Sequence, residues 1–143
     1  MGKSDIQRAA QLFGIVFLIV AIVGFIPGIT TNYDGLTTFD GTGAEIFGIF
    51  GVNLLENLVH LLYAIAGFLA ASSVVASRAY FVWGGVIYLV VWIYGLVIDL
   101  SSSANFLGVN AAANWLHFIL GVAMVGIGFL LGRERAADRV PAT

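Results

Sequence analysis

Four apolar stretches, about Leu12 to Gly28, Leu54 to Ser73, Ala79 to Ile98 and Ala111 to Leu131, occupy more than half of the 143 residues. At about 1.5 Å per residue each is long enough to cross a hydrocarbon layer of roughly 30 Å. A chain that is 60% apolar and 10% charged, with mean hydropathy +1.00, has lipid as its main solvent. Lipid offers no hydrogen bonds to a backbone, so spanning segments must be helices or a closed barrel. Alternating polarity is absent, and the expected fold is an all-α membrane protein of four transmembrane helices. The helices fall at about 12–28, 54–73, 79–98 and 111–131, with an outer loop over 29–52 and a tail over 133–143, all in one transmembrane domain spanning 1–143.

All six cations, Lys3, Arg8, Arg78, Arg133, Arg135 and Arg139, lie at the amino end, in the middle loop or in the tail. Four crossings put these three segments on one side. The positive-inside rule makes that side cytoplasmic, so both termini are expected there. The other side receives Asp34, Asp40, Glu45 and Asp99 without a lysine or arginine. The first stretch ends in Phe25-Ile26-Pro27-Gly28, which lacks the small-x-small pattern of a cleaved signal, so it is expected to be retained. A net charge of −2 with no basic stripe excludes a nucleic-acid partner, and zero cysteines exclude disulfide, thiol and thiolate-metal chemistry.

The block Gly51, Val52, Asn53, Asn57, His60 recurs 57 residues later as Gly108, Val109, Asn110, Asn114, His117. Arg8 with Gly14 corresponds more weakly to Arg78 with Gly84. The chain is therefore read as two tandem helical hairpins, related by a pseudo-twofold axis along the membrane normal. Positions 53, 57 and 60 share one helical face, as do 110, 114 and 117. Asn53 with Glu56 matches a capping box, placing Glu56 in the first turn near the outer interface, while Asn110 lacks the matching glutamate at Ala113.

The expected polar cluster is Asn53, Glu56, Asn57, Asn110, Asn114 and Asp99 around His60 and His117, in the outer half of the bundle. Below it, Ala64, Gly67 and Ala71 continue one stripe and Gly121, Met124 and Gly128 the other, so the second and fourth helices are expected to meet along small residues. Tyr80 and Trp83 suit an inner interfacial belt, and Ile46 to Val52 an apolar segment on the membrane surface.

Phe25-Ile26-Pro27-Gly28, Thr30-Thr31-Asn32-Tyr33-Asp34, Asn57-Leu58-Val59-His60-Leu61, Tyr94-Gly95-Leu96-Val97-Ile98-Asp99 and Asn114-Trp115-Leu116-His117 give the chain a specific likeness. From Arg8 to Gly132 it resembles a family of small four-helix membrane proteins, common in actinobacteria, that is catalogued only as a domain of unknown function. The resemblance implies a bacterial plasma-membrane protein and carries no activity or ligand.

Several chemistries fit the histidine pair. Asn and His can join helices by hydrogen bonds, at about 0.6–2 kcal/mol per contact. His60 and His117 can instead ligate haem b, one imidazole from each repeat, although no outer Arg or Lys would meet the propionates. A divalent metal on both histidines with Glu56 or Asp99 is chemically allowed, without matching a known ligand spacing. Transport needs polar groups through the whole thickness, and the inner halves of the helices are nearly apolar, which argues against a monomeric channel and leaves a small transporter or an oligomeric channel as the second alternative. No phosphate loop, nucleophile elbow or paired carboxylates are present, so no catalytic residue is expected. The reading is a non-enzymatic membrane component or accessory subunit. Its expected partners are the bilayer, other membrane proteins or further copies of the chain, with no resident cofactor and haem b as the alternative.

Overall fold

A computed structural model describes residues 2–39 and 43–133. Asp40, Arg135 and Arg139, used above to orient the chain, lie outside the described residues. Four helices carry the fold: α1 (Asp5–Val23), α2 (Leu54–Ala70), α3 (Val74–Val97) and α4 (Ala111–Leu130). Three of them, α1, α3 and α4, are long and apolar enough to cross a membrane, and α2 is a shorter apolar helix of 17 residues. At ~1.5 Å per residue α2 reaches about 25 Å. Large apolar side chains such as Leu62, Leu69, Val90 and Leu130 stay exposed on the outer surface of the bundle, which suits lipid and not water.

α2 and α4 begin where their apolar runs do, at Leu54 and Ala111, but α1 and α3 begin earlier. α1 starts after Ser4, where Gln7 Oε1 accepts from the Ser4 backbone N–H at 3.1 Å, and α3 starts after Ser73, whose Oγ accepts from Ala76 N at 3.1 Å. Caps, not hydropathy, set these starts. At its other end α1 stops at Val23, ahead of Pro27, short of the expected Gly28.

Helix pairing departs from the expected contact of the second and fourth helices. The tight contacts run within each hairpin, α1 on α2 and α3 on α4. A Cβ added at Gly67 would lie 3.0 Å from Gly14 Cα, and one added at Gly85 only 2.7 Å from the Gly121 carbonyl oxygen. The small residues of α2 and α4 thus seat the preceding helix of the same repeat, because close backbone approach is what joins a sequential hairpin in lipid. The correspondence of the first and third helices is also corrected. Gly14 against Ala64 and Phe68 matches Gly85 against Gly121 and Val125, so α1 maps onto α3 with a shift of 71 residues and pairs Gly14 with Gly85, not Gly84.

Between α1 and α2 the outer loop forms a small antiparallel sheet, β1 (Thr30–Thr31), β2 (Glu45–Ile46) and β3 (Phe50–Gly51), in the order β1-β2-β3. Thr30 pairs with Ile46, and Ile46 with Phe50. Ala44, Ile46 and Val52 are buried against Val20 and Val23 at the end of α1. Ile46 and Val52 thus turn inward onto the end of α1, while Phe47 and Ile49 of the same segment stay exposed, as an apolar segment on the membrane surface would have them. Tyr80 is likewise buried, donating its hydroxyl to the Tyr63 carbonyl at 3.2 Å, and leaves only Trp83 of the expected inner belt exposed.

Candidate functional site

The repeated asparagines split into two pairs with different tasks. Asn53 and Asn110 cap α2 and α4, each accepting at Oδ1 from the backbone N–H three residues on, at 2.9 Å. Their Nδ2 groups cross to the other repeat: Asn53 donates to the Phe106 carbonyl at 2.7 Å and Asn110 to the Ile49 carbonyl at 2.9 Å. Ile49 and Phe106 are 57 residues apart, so the two bonds are one contact made twice across a pseudo-twofold relation. Asn110 makes one more bond, to Glu45 Oε1 at 3.1 Å. A buried amide satisfied on both sides both starts its helix and clamps the repeats together.

Asn57 and Asn114 sit one turn deeper, each against a glycine of the partner helix. A Cβ on Gly24 would fall 2.3 Å from Asn57 Oδ1, and one on Gly95 would fall 2.3 Å from Asn114 Oδ1. Gly24 and Gly95 again differ by 71 residues. The repeat has kept both the carboxamide and the space for it.

Deeper still, the repeats bring their histidines together. His117 Nε2 lies 2.9 Å from Glu56 Oε1, with side-chain exposures of only 5% and 7%. Glu56, His60 and His117 each present a ligand-type atom, and these atoms lie within 4.8 Å of one another. Glu56 does not complete a capping box with its carboxylate; the side chain turns into the bundle, where an imidazole partner is available. Asp99 is corrected in the opposite sense. It sits in the exposed turn after α3, accepting from Ser101 Oγ at 2.7 Å and Ser101 N at 2.9 Å, away from the cluster. Those two bonds hold its carboxyl below the usual carboxylate range. A carboxylate with serine donors in a solvated turn needs no partner in the bundle.

Aromatic rings frame the centre. Phe17 stacks on Tyr88 with centroids 5.9 Å apart and planes 11° apart. Phe17 also stacks on His60 at 6.2 Å, and Tyr88 packs on His117 at 5.2 Å. Phe17 and Tyr88 are related by the same shift of 71, so each repeat contributes one ring and one imidazole. The spacing of Tyr88, Trp92, Gly95 and Asp99 puts Tyr88 on a polar-tipped face of α3, whereas no pattern in the sequence singles out Phe17. The signal that would have found it is the glycine register, Gly14 with Gly85 and Gly24 with Gly95.

Several polar atoms of this centre are buried with no hydrogen-bond partner among the described residues: Glu56 Oε2, His60 Nδ1, His117 Nδ1 and Tyr88 Oη. Buried polar groups are nearly always satisfied, and leaving one unpaired costs about 1–3 kcal/mol. Two cavities adjoin them. One of about 140 Å³ is lined by Glu56, His60, Tyr63, Tyr88 and His117. The other, of about 70 Å³, lies toward Phe17, Phe50 and Ala113 and shares Glu56, His60 and His117. Neither reaches the roughly 300–1,000 Å³ that an organic ligand of drug size needs, so the centre has no slot for a porphyrin between its histidines. The haem b alternative does not fit this geometry.

The model of a family described as a domain of unknown function (DUF4383) covers residues 7–130. Neither a curated protein nor a solved structure matches the chain.

Proposed function

The chain belongs to the DUF4383 family, a domain of unknown function, and from that premise we propose that it is a non-enzymatic component of the bacterial plasma membrane that holds a small ligand in the polar centre between its two repeats. The observation that carries this reading is the group of unpaired buried atoms on Glu56, His60, His117 and Tyr88 beside two small cavities. Asn53 and Asn110, by contrast, spend their carboxamides on bonds within the protein. Ionisable groups within a membrane bundle are costly and are kept for a task.

A binding role is favoured over catalysis because the hydroxyls at the centre are those of Tyr63, which is spent on the Gly84 carbonyl, and Tyr88, which has no hydrogen bond to a base among the described residues. It is favoured over conduction because the buried side chains beneath the histidines are Tyr63, Ala64, Phe81, Met124 and similar packing groups, and the hydroxyls of Tyr63, Ser77 and Tyr80 at that depth are each spent on a backbone carbonyl. In the proposed orientation both termini and the Ser72-Ser73 turn are cytoplasmic, and the sheet and the centre lie toward the outer face. Partners beyond lipid are further membrane proteins or copies of this chain, to which the site contributes nothing visible.

The test is native mass spectrometry of the chain released from a mild detergent. The reading expects a mass above that of the polypeptide, lost in His60→Gln and His117→Gln while the variants remain folded. A bare polypeptide mass in the wild type, under conditions that preserve bound lipid on control proteins, would count against it.

A further inference from the structure

We infer that the ligand of the polar centre is a single divalent transition-metal ion of the zinc or cobalt type, held by Glu56, His60 and His117. This inference rests on the ligand-binding reading above and gives its chemistry. Three observations converge on it.

The first is the donor set. Two imidazoles and one carboxylate suit zinc and its neighbours, and three protein ligands leave a further position for water or a small anion. The second is distance. The candidate donor atoms lie within 4.8 Å of one another, and rotamer adjustments would draw them to the separation of about 3.3 Å that tetrahedral bonds of roughly 2.0–2.1 Å require. Glu56 Oε1 and His117 Nε2 are already at 2.9 Å, a contact that needs a proton which a cation would replace. The third is the set of unsatisfied atoms. Glu56 Oε2 and His60 Nδ1 are buried without partners among the described residues, so the centre has donor capacity that its own hydrogen bonds do not use.

Size and charge agree with an ion. The cavities of about 70 and 140 Å³ have room for a cation with a few waters. A dication beside one glutamate and two neutral imidazoles, completed by one small anion, leaves no net charge in a low-dielectric site, which is the condition for burying ions at all. The asymmetry of the repeat also falls into place. Both repeats kept their histidine, but only one carries the carboxylate, Glu56, where the other has Ala113. Ala113 lines the same cavity as Glu56 and both histidines. One carboxylate per two histidines makes one site across the pseudo-twofold relation; two would place like charges together in the bundle.

The experiment titrates the full chain, purified in mild detergent and stripped with EDTA, with Co²⁺, and follows the visible ligand-field bands before displacement with Zn²⁺. One equivalent per chain is expected. Glu56→Ala, His60→Ala and His117→Ala should each weaken binding by more than about 100-fold, beyond the effect of a group that merely orients a ligand. Introducing Ala113→Glu into the Glu56→Ala variant should restore the bands, because the repeat presents position 113 to His60 as it presents position 56 to His117. If an alanine variant does not fold, Glu56→Gln, His60→Gln or His117→Gln replaces it with similar volume, and unchanged Co²⁺ affinity in a folded variant of any of the three positions overturns the assignment. Absence of stoichiometric Co²⁺ and Zn²⁺ binding by the wild type also overturns it. In that case an added organic mass in the native spectrum would leave the ligand-binding reading standing without the metal, and a bare polypeptide would remove both.

Discussion

Glu56 and His117, from different repeats, meet at 2.9 Å inside the bundle with side-chain exposures of 7% and 5%. Glu56 belongs to the first turn of α2, His117 to the second turn of α4, and the contact joins two helices that otherwise pack on α1 and α3. Removing one member of such a buried pair leaves the other uncompensated, at about 3–5 kcal/mol. Glu56→Ala should therefore destabilise the detergent-solubilised protein far more than Glu56→Gln, which keeps an acceptor for His117 Nε2. Equal midpoints for the two variants in thermal unfolding would contradict the pair.

The Asn53 and Asn110 clamps are pseudo-equivalent. Each alanine variant loses a helix cap worth about 1 kcal/mol and a bond to the other repeat worth about 1 kcal/mol more. Asn110→Ala should be the costlier of the two, because it also removes the bond to Glu45. Unfolding in mixed detergent micelles measures the order, and a larger loss for Asn53→Ala would be inconsistent with it.

Gly24 and Gly95 make room for carboxamides. Gly24→Ala should cost about 1–3 kcal/mol through the overlap with Asn57. Adding Asn57→Ala should recover part of that loss, with a coupling of about 0.5–3 kcal/mol in the double-mutant cycle. Gly95 and Asn114 should behave alike. Additive effects in both cycles would mean that the close approach is not what holds these glycines.

Phe17 and Tyr88 share one stack but differ in their polar atoms. Phe17→Ala removes a ring 3% exposed and should cost about 3–5 kcal/mol. Tyr88→Phe keeps the ring and deletes an oxygen that has no partner among the described residues, so its stability should match or exceed the wild type. A marked loss in Tyr88→Phe would show that the hydroxyl serves a bound species, and Co²⁺ titration of that variant would identify it.

Orientation has a clean assay because the chain contains no cysteine. Ser72 and Ser103 are both exposed, in the α2–α3 turn and the α3–α4 loop respectively. Ser103→Cys should react with a membrane-impermeant maleimide in intact spheroplasts, and Ser72→Cys only after lysis. The opposite pattern would invert the proposed topology.

Hydropathy and charge alone determined that this chain is a bundle of four apolar helices, because a lipid solvent leaves the backbone almost no other arrangement. The duplication was equally legible in the Gly-Val-Asn, Asn and His spacing, and it named both histidines before any coordinates. Glu56 was visible only as a capping residue, since a helix start explains an acidic side chain at that place without reference to anything else. Tertiary structure decided which helices pair, the shift of 71 that relates α1 to α3, the removal of Asp99 to an exposed turn and the entry of Glu56 into the centre. Each of these depends on how closely two backbones approach and on which polar atom finds a partner across a gap of a few ångströms. A linear pattern records the face on which a residue lies, whereas contact between faces is settled by packing.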